Sequence, residues 1–111
     1  MRMLLLALFA LTAFAQEETV MVTCHAKAGA EAGLQRVLAK HWEMIRDLKL
    51  VTAAPHMSLR GIDAEGKTYF VEIFTWKDAT IPDHAPAAVQ KLWSEINGLG
   101  AIQIAEVTPW K

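Results

Sequence analysis

Residues 68–76 read TYFVEIFTW, and every residue of the nine except Glu72 is β-branched or aromatic. Such side chains fit a pleated, half-buried surface, so this stretch is a strand. Alternation puts Tyr69, Val71 and Ile73 on one side and Phe70, Phe74 and Trp76 on the other. Both faces are therefore apolar. Upstream, Asp63-Ala64-Glu65-Gly66-Lys67 forms a hairpin turn in which Gly66 supplies positive φ. The partner strand is Val51 to Gly61, and Pro55 inside it predicts an edge or bulged strand.

Further upstream, Ala30 to Lys49 carries Leu34, Val37, Leu38, His41, Ile45 and Leu48 on one face of a helix. Gln35, Lys40, Glu43, Arg46 and Asp47 occupy the other. Thr19 to Lys27 alternates as a first strand and stops at Gly29. Downstream, a connector from Lys77 to Pro86 offers Asp83 as a cap. A second helix then runs to about Asn97 with Ala85, Val89, Leu92, Trp93, Ile96 and Leu99 as its apolar face, stopped by Gly98 and Gly100. Ala101 to Val107 is the last strand. The order βαββαβ is the α+β, ferredoxin-like plan, a four-stranded antiparallel sheet with two helices on one face. Two helices cannot cover both apolar faces of the third strand, so a second copy is expected to close the other as a homodimer.

Residues 1–15, MRMLLLALFALTAFA, read separately from this domain. Arg2 gives a positive n-region, Leu4 to Leu11 an apolar core, and Ala13-Phe14-Ala15 a small-x-small cleavage pattern. This is how a signal peptide reads, with cleavage after Ala15 and a secreted or periplasmic product of residues 16–111. The apolar run from Met3 falls short of the roughly 20 residues that span a bilayer. Without the segment, the apolar share drops from 53% to about 48%, near the ordinary mix for a soluble domain. Ten basic and twelve acidic side chains then remain, with no run of like charge. That excludes nucleic acid, and membrane after cleavage, as main partners. Cys24 is the single cysteine, so no disulfide forms within a chain, and a strand position suits it as a small buried residue.

The run Phe70-Val71-Glu72-Ile73-Phe74-Thr75-Trp76-Lys77-Asp78, followed by Asp83-His84 and a helix with Val89, Leu92 and Trp93, resembles the antibiotic biosynthesis monooxygenase (ABM) superfamily of dimeric α+β barrels. In element order the resemblance covers Val20 to Val107; in residue identity it is confined to this stretch. It implies a pocket in each subunit between sheet and helices, where members without any cofactor oxidise electron-rich phenols or quinols and the substrate itself activates oxygen. Such chemistry needs a base, polar groups to hold the substrate anion, and an apolar wall. The heme-degrading branch uses an Asn, Trp and His set. Here the only Asn is Asn97, at the end of the second helix, so the sequence departs from that branch.

Candidate site residues follow. His41, in the middle of the first helix's apolar stripe, reads either as a core histidine or as a pocket base kept neutral by burial. Glu72, between Phe70 and Phe74, is costly to ionise there without a partner. It serves as the base, orients His41 or His25, or pairs with Arg60 or Lys27 across strands. His84 is carried over from the family pattern, at a pocket mouth beside Pro82 and Pro86 or as an exposed first-turn residue. His25, Trp42, Met57, Phe74, Trp76 and Trp93 complete the candidate substrate-binding set, with core packing as their simpler role. No H-x-H, H-x3-H or H-E-x-x-H spacing links His25, His41, His56 and His84, and no phosphate loop or serine elbow occurs. Neither a metal nor another cofactor is expected. The expected ligand is a small apolar or aromatic molecule. A second reading stays open: a non-catalytic dimer that binds such a ligand or stabilises an envelope assembly.

Overall fold

A computed structural model describes residues 16–111. The expected signal peptide over 1–15 and its cleavage site lie outside those residues. The chain forms β1 (Glu18–Ala26), α1 (Glu31–Asp47), β2 (Met57–Ile62), β3 (Thr68–Trp76), a 3-10 turn (Ile81–Asp83), α2 (Ala87–Leu99) and β4 (Gly100–Glu106). One antiparallel sheet has the order β2-β3-β1-β4. This is the ferredoxin-like arrangement that the element order predicts, with the aromatic strand β3 in a central position.

Period-two alternation sorts the sheet into two unlike faces. Val20 and Cys24 on β1, and Phe70, Phe74 and Trp76 on β3, are buried against Leu34, Leu38 and Ile45 of α1 and Val89 and Ile96 of α2. Leu34, Ile45, Val89 and Cys24 are fully buried. Each large apolar side chain taken out of water here contributes about 1.5–3 kcal/mol. The opposite face is not covered by helices. There Met21, Tyr69, Val71 and Ile73 are half-buried, Met57 and Leu59 are 49% and 50% exposed, and a hydroxyl pair joins Thr19 to Thr75 at 2.7 Å. Tyr69 lies across Gly61, where any Cβ would meet its ring.

Three boundaries differ from expectation, each for a local reason. The second strand begins at Met57 rather than Val51, because Pro55 carries no donor and the chain turns at Thr52, whose hydroxyl accepts from the Ala54 amide. Val51 keeps one isolated bridge, to Trp76. Helix α1 stops at Asp47, two residues early, since Lys49 takes a left-handed φ of 58° and Leu48 is left 46% exposed. Asp83 does not cap α2: it closes the 3-10 turn, and Pro86 is the residue that enters α2. The β2–β3 hairpin turns as expected, with Gly66 at φ 79° and the Asp63 carboxylate accepting from the amides of Glu65 and Lys67.

Candidate functional site

A cavity of about 560 Å³ opens between the helix-facing side of the sheet and the two helices. Its wall is made by Val20, Val22 and Cys24 of β1, Phe74 and Trp76 of β3, Leu38 of α1, Trp93 and Ile96 of α2, and Ile102 and Ile104 of β4. This volume lies within the range of small-molecule sites. Two polar side chains, His41 and Glu72, interrupt the apolar interior, while Glu18, Asp83 and Asn97 stand at the exposed or half-exposed rim.

His41 comes from the centre of α1's buried stripe and is 8% exposed. Its Nε2 accepts a hydrogen bond of 2.8 Å from the indole Nε1–H of Trp93 on α2. An indole N–H only donates, so Nε2 is unprotonated and the neutral ring carries its proton on Nδ1. Burial holds the imidazole pKa down to about 4, which keeps the ring neutral at pH 7. His41 is therefore arranged as an N–H donor, and its basic nitrogen is already engaged.

Glu72 is the one carboxylate in the middle of β3, and it is 8% exposed. Neither Arg60 nor Lys27 pairs with it. Its partner is His56, which sequence reasoning had considered only as a metal-ligand type: His56 Nε2 lies 2.6 Å from Glu72 Oε2, with Ser58 Oγ 3.3 Å from the same nitrogen. The β2–β3 register explains the meeting, because Ser58 stands opposite Glu72 and His56 is one diagonal step away on the same face. Trp42 of α1 stacks flat on the His56 ring, with centroids 3.6 Å apart and planes 6° from parallel. Burial raises the Glu72 pKa, and the bonds and charge from His56, with Ser58 beside it, pull the other way. Cys24, across β1, is fully buried; its thiol is pushed up to about 11 by burial and by the Glu72 charge, so it is a protonated wall group.

The other candidates fall in different places. Phe74, Trp76 and Trp93 line the cavity together with His41 and Glu72. Trp42 stands behind this wall, 6.1 Å from the Phe74 ring and against His56. His84 is exposed at the end of the 3-10 turn, its Nε2 3.2 Å from the Thr80 hydroxyl, next to the rim residues Pro82 and Asp83. His25 and Met57 point to the opposite sheet face, where His25 tilts against Tyr69 with ring centroids 5.6 Å apart. Among the described residues no group of three or more His, Cys, Asp or Glu side chains is placed to hold a metal ion.

No protein-family model matches the chain, and no curated protein matches it. Solved structures do. A variant of SnoaB, a cofactor-independent oxygenase from Streptomyces nogalater, superimposes with a TM-score of 0.68 at 19% identity over 87% of this chain and 96% of that one. A conserved protein of unknown function from Bacteroides thetaiotaomicron, described as a possible oxidoreductase, gives 0.65 at 11% identity over 86% and 98%. An antibiotic biosynthesis monooxygenase gives 0.63 at 18% identity over 86% and 100%. The chain thus has the ABM-like fold. A fold hosts several chemistries, so the activity has to be argued from the side chains in the cavity.

Proposed function

We propose that this ABM-like chain is an exported, homodimeric, cofactor-free monooxygenase that acts on a phenolic or quinol-type molecule in the cavity between sheet and helices. The observation that carries the reading is that one buried carboxylate, Glu72, and one buried N–H donor, His41, line the same largely apolar cavity. A phenolic substrate needs both. Glu72 accepts the hydroxyl proton, and the His41 Nδ1–H donates to the oxygen on which the negative charge then rests. Phe74, Trp76 and Trp93 keep water from that charge. Carboxylates at the rim, Glu18 and Asp83, favour a substrate that enters uncharged.

Electrons for oxygen come from the bound anion. One oxygen atom of O2 forms a bond to a ring carbon that loses its hydrogen, the O–O bond breaks, and the other atom leaves as water while the hydroquinone becomes a hydroxyquinone. No outside reductant is required. Support for the homodimer comes from the uncovered face, where Met21, Met57, Leu59, Val71 and Ile73 form an apolar surface that a second copy would bury. Export rests on the leader of residues 1–15.

The second reading is a non-catalytic dimer that binds a small apolar ligand or supports an envelope assembly. The apolar share of the cavity favours it, since binding alone needs no base. Oxygen uptake with a panel of hydroquinones separates the two. The monooxygenase consumes oxygen and yields a product heavier by one oxygen and lighter by two hydrogens, and Glu72→Gln lowers the rate at least about tenfold. Ligand binding without oxygen uptake for any panel member favours the second reading.

A further inference from the structure

We infer that His56, clamped between Trp42 and Glu72, is a positioning residue that keeps the Glu72 carboxylate ionised and carries its proton out to solvent. The inference rests on the reading that Glu72 is the base of the cavity. Three contacts support it. The His56 ring is bonded to Glu72 at 2.6 Å, lies flat on Trp42 at 3.6 Å, and has the Ser58 hydroxyl at 3.3 Å. Its side chain is 19% exposed and that of Glu72 is 11% exposed, so the pair runs from the interior toward water.

Glu72 also stands where two spaces meet. It borders the inner cavity and an outer groove of about 240 Å³, which Gln35, Leu38, Ser58, Arg60 and Phe70 line with it. The groups that face the carboxylate from the packed elements are few. From β1 comes the protonated Cys24 thiol, while His41 of α1, kept neutral, borders the same cavity. From β2, Arg60 lies over the Phe70 ring at 5.9 Å on the groove side. His56 is thus the basic side chain within hydrogen-bond reach of Glu72.

The physical chain is short. The stacked Trp42 face holds the ring in place, and an imidazole bonded to a carboxylate favours the ionised form of that carboxylate. Without that partner, burial acts on Glu72 unopposed and favours its protonated form, which accepts no proton. With it, turnover resets the pair in two transfers: Glu72 takes the substrate proton, then His56 gives its own proton to water and receives the one on Glu72. Imidazole is the side chain suited to that exchange near neutral pH.

The test reads the carboxyl directly, by carbon NMR of protein labelled at its glutamate side chains, with the Glu72 signal assigned by its loss in Glu72→Gln. In His56→Gln the Glu72 titration is expected about one pH unit or more above wild type. His56→Lys, which returns a cation, moves it back down, and the acid limb of the rate profile follows with KM little changed. Trp42→Leu, a second route should His56→Gln fail to fold, removes the flat face that holds the ring against Glu72 and is expected to move the Glu72 titration up as well. A Glu72 midpoint that is the same in wild type and His56→Gln, or in Trp42→Leu should His56→Gln fail to fold, overturns the inference. A moved Glu72 with no oxygen uptake supports the pair and removes the oxygenase reading. Oxygen uptake with an unmoved Glu72 does the reverse.

Discussion

His41 makes the stability of this protein depend on pH with a sign and size that follow from its surroundings. Its folded-state pKa is about 4 against an ordinary 6.5. Between those values the unfolded chain binds a proton at this residue that the folded chain refuses, so stability is complete above the unfolded pKa and is lost as pH falls toward the folded one. Integrated from pH 7 to pH 4.5, the loss comes to about 2–2.5 kcal/mol per chain. Glu72 acts in the opposite direction, because burial raises its folded pKa, and a single acid unfolding curve therefore mixes the two.

The substitution that isolates His41 is His41→Gln. A glutamine cannot titrate, yet its carbonyl can still accept from the Trp93 indole that now bonds His41 Nε2 at 2.8 Å. Urea unfolding of both proteins at pH 7 and pH 4.5 gives four stabilities. The wild type is expected to lose more on acidification than His41→Gln by about 2 kcal/mol, whatever the offset at pH 7, which a missed hydrogen bond sets at about 1–3 kcal/mol. An equal acid loss in the two proteins refutes the reasoning. His41 would then be free to charge in the folded state, and a base role would return to it from Glu72.

Other consequences are simpler to read. Leu34→Ala empties a fully buried site between α1 and the sheet, and a cost of about 2–5 kcal/mol is expected in the urea midpoint. Val71→Asp puts a charge on the uncovered sheet face, so light scattering is expected to show monomer for it and dimer for wild type, while far-UV circular dichroism stays unchanged. A wild type that is already monomeric at micromolar concentration removes the dimer. Cys24, fully buried and with its thiol pushed up to about 11, should resist iodoacetamide at pH 8 in native protein and react once urea unfolds it.

The fold was legible because its evidence is periodic. TYFVEIFTW alternates, α1 and α2 carry apolar stripes, and the Gly66 turn joins β2 to β3, so element order led to the ferredoxin-like sheet without tertiary information. The boundaries that moved are those set by single residues, Pro55 at one strand start and Lys49 at one helix end, where a local conformation outweighs a pattern. The uncovered face was legible for the same periodic reason. Apolar residues stand at both parities of β3, and the two helices cover one side.

The site was only half legible, and His56 shows why. Glu72 announces itself as the one charge in an apolar strand, and His41 as the one polar residue in an apolar helix stripe. His56 has no such contrast, since it follows Pro55 in a stretch where apolar, small and polar residues mix without a period, and its meaning lies entirely in its register with β3. The signal was present nonetheless: pairing outward from the Asp63–Lys67 turn sets Ile62 against Thr68 and Ser58 against Glu72, which brings His56 to the same face. Trp42, which read as a cavity wall, is drawn behind it to stack on that ring. A buried carboxylate in a central strand therefore poses a question that the hairpin register can answer, because the positions able to offer it a partner are those opposite and diagonal to it on the adjacent strand.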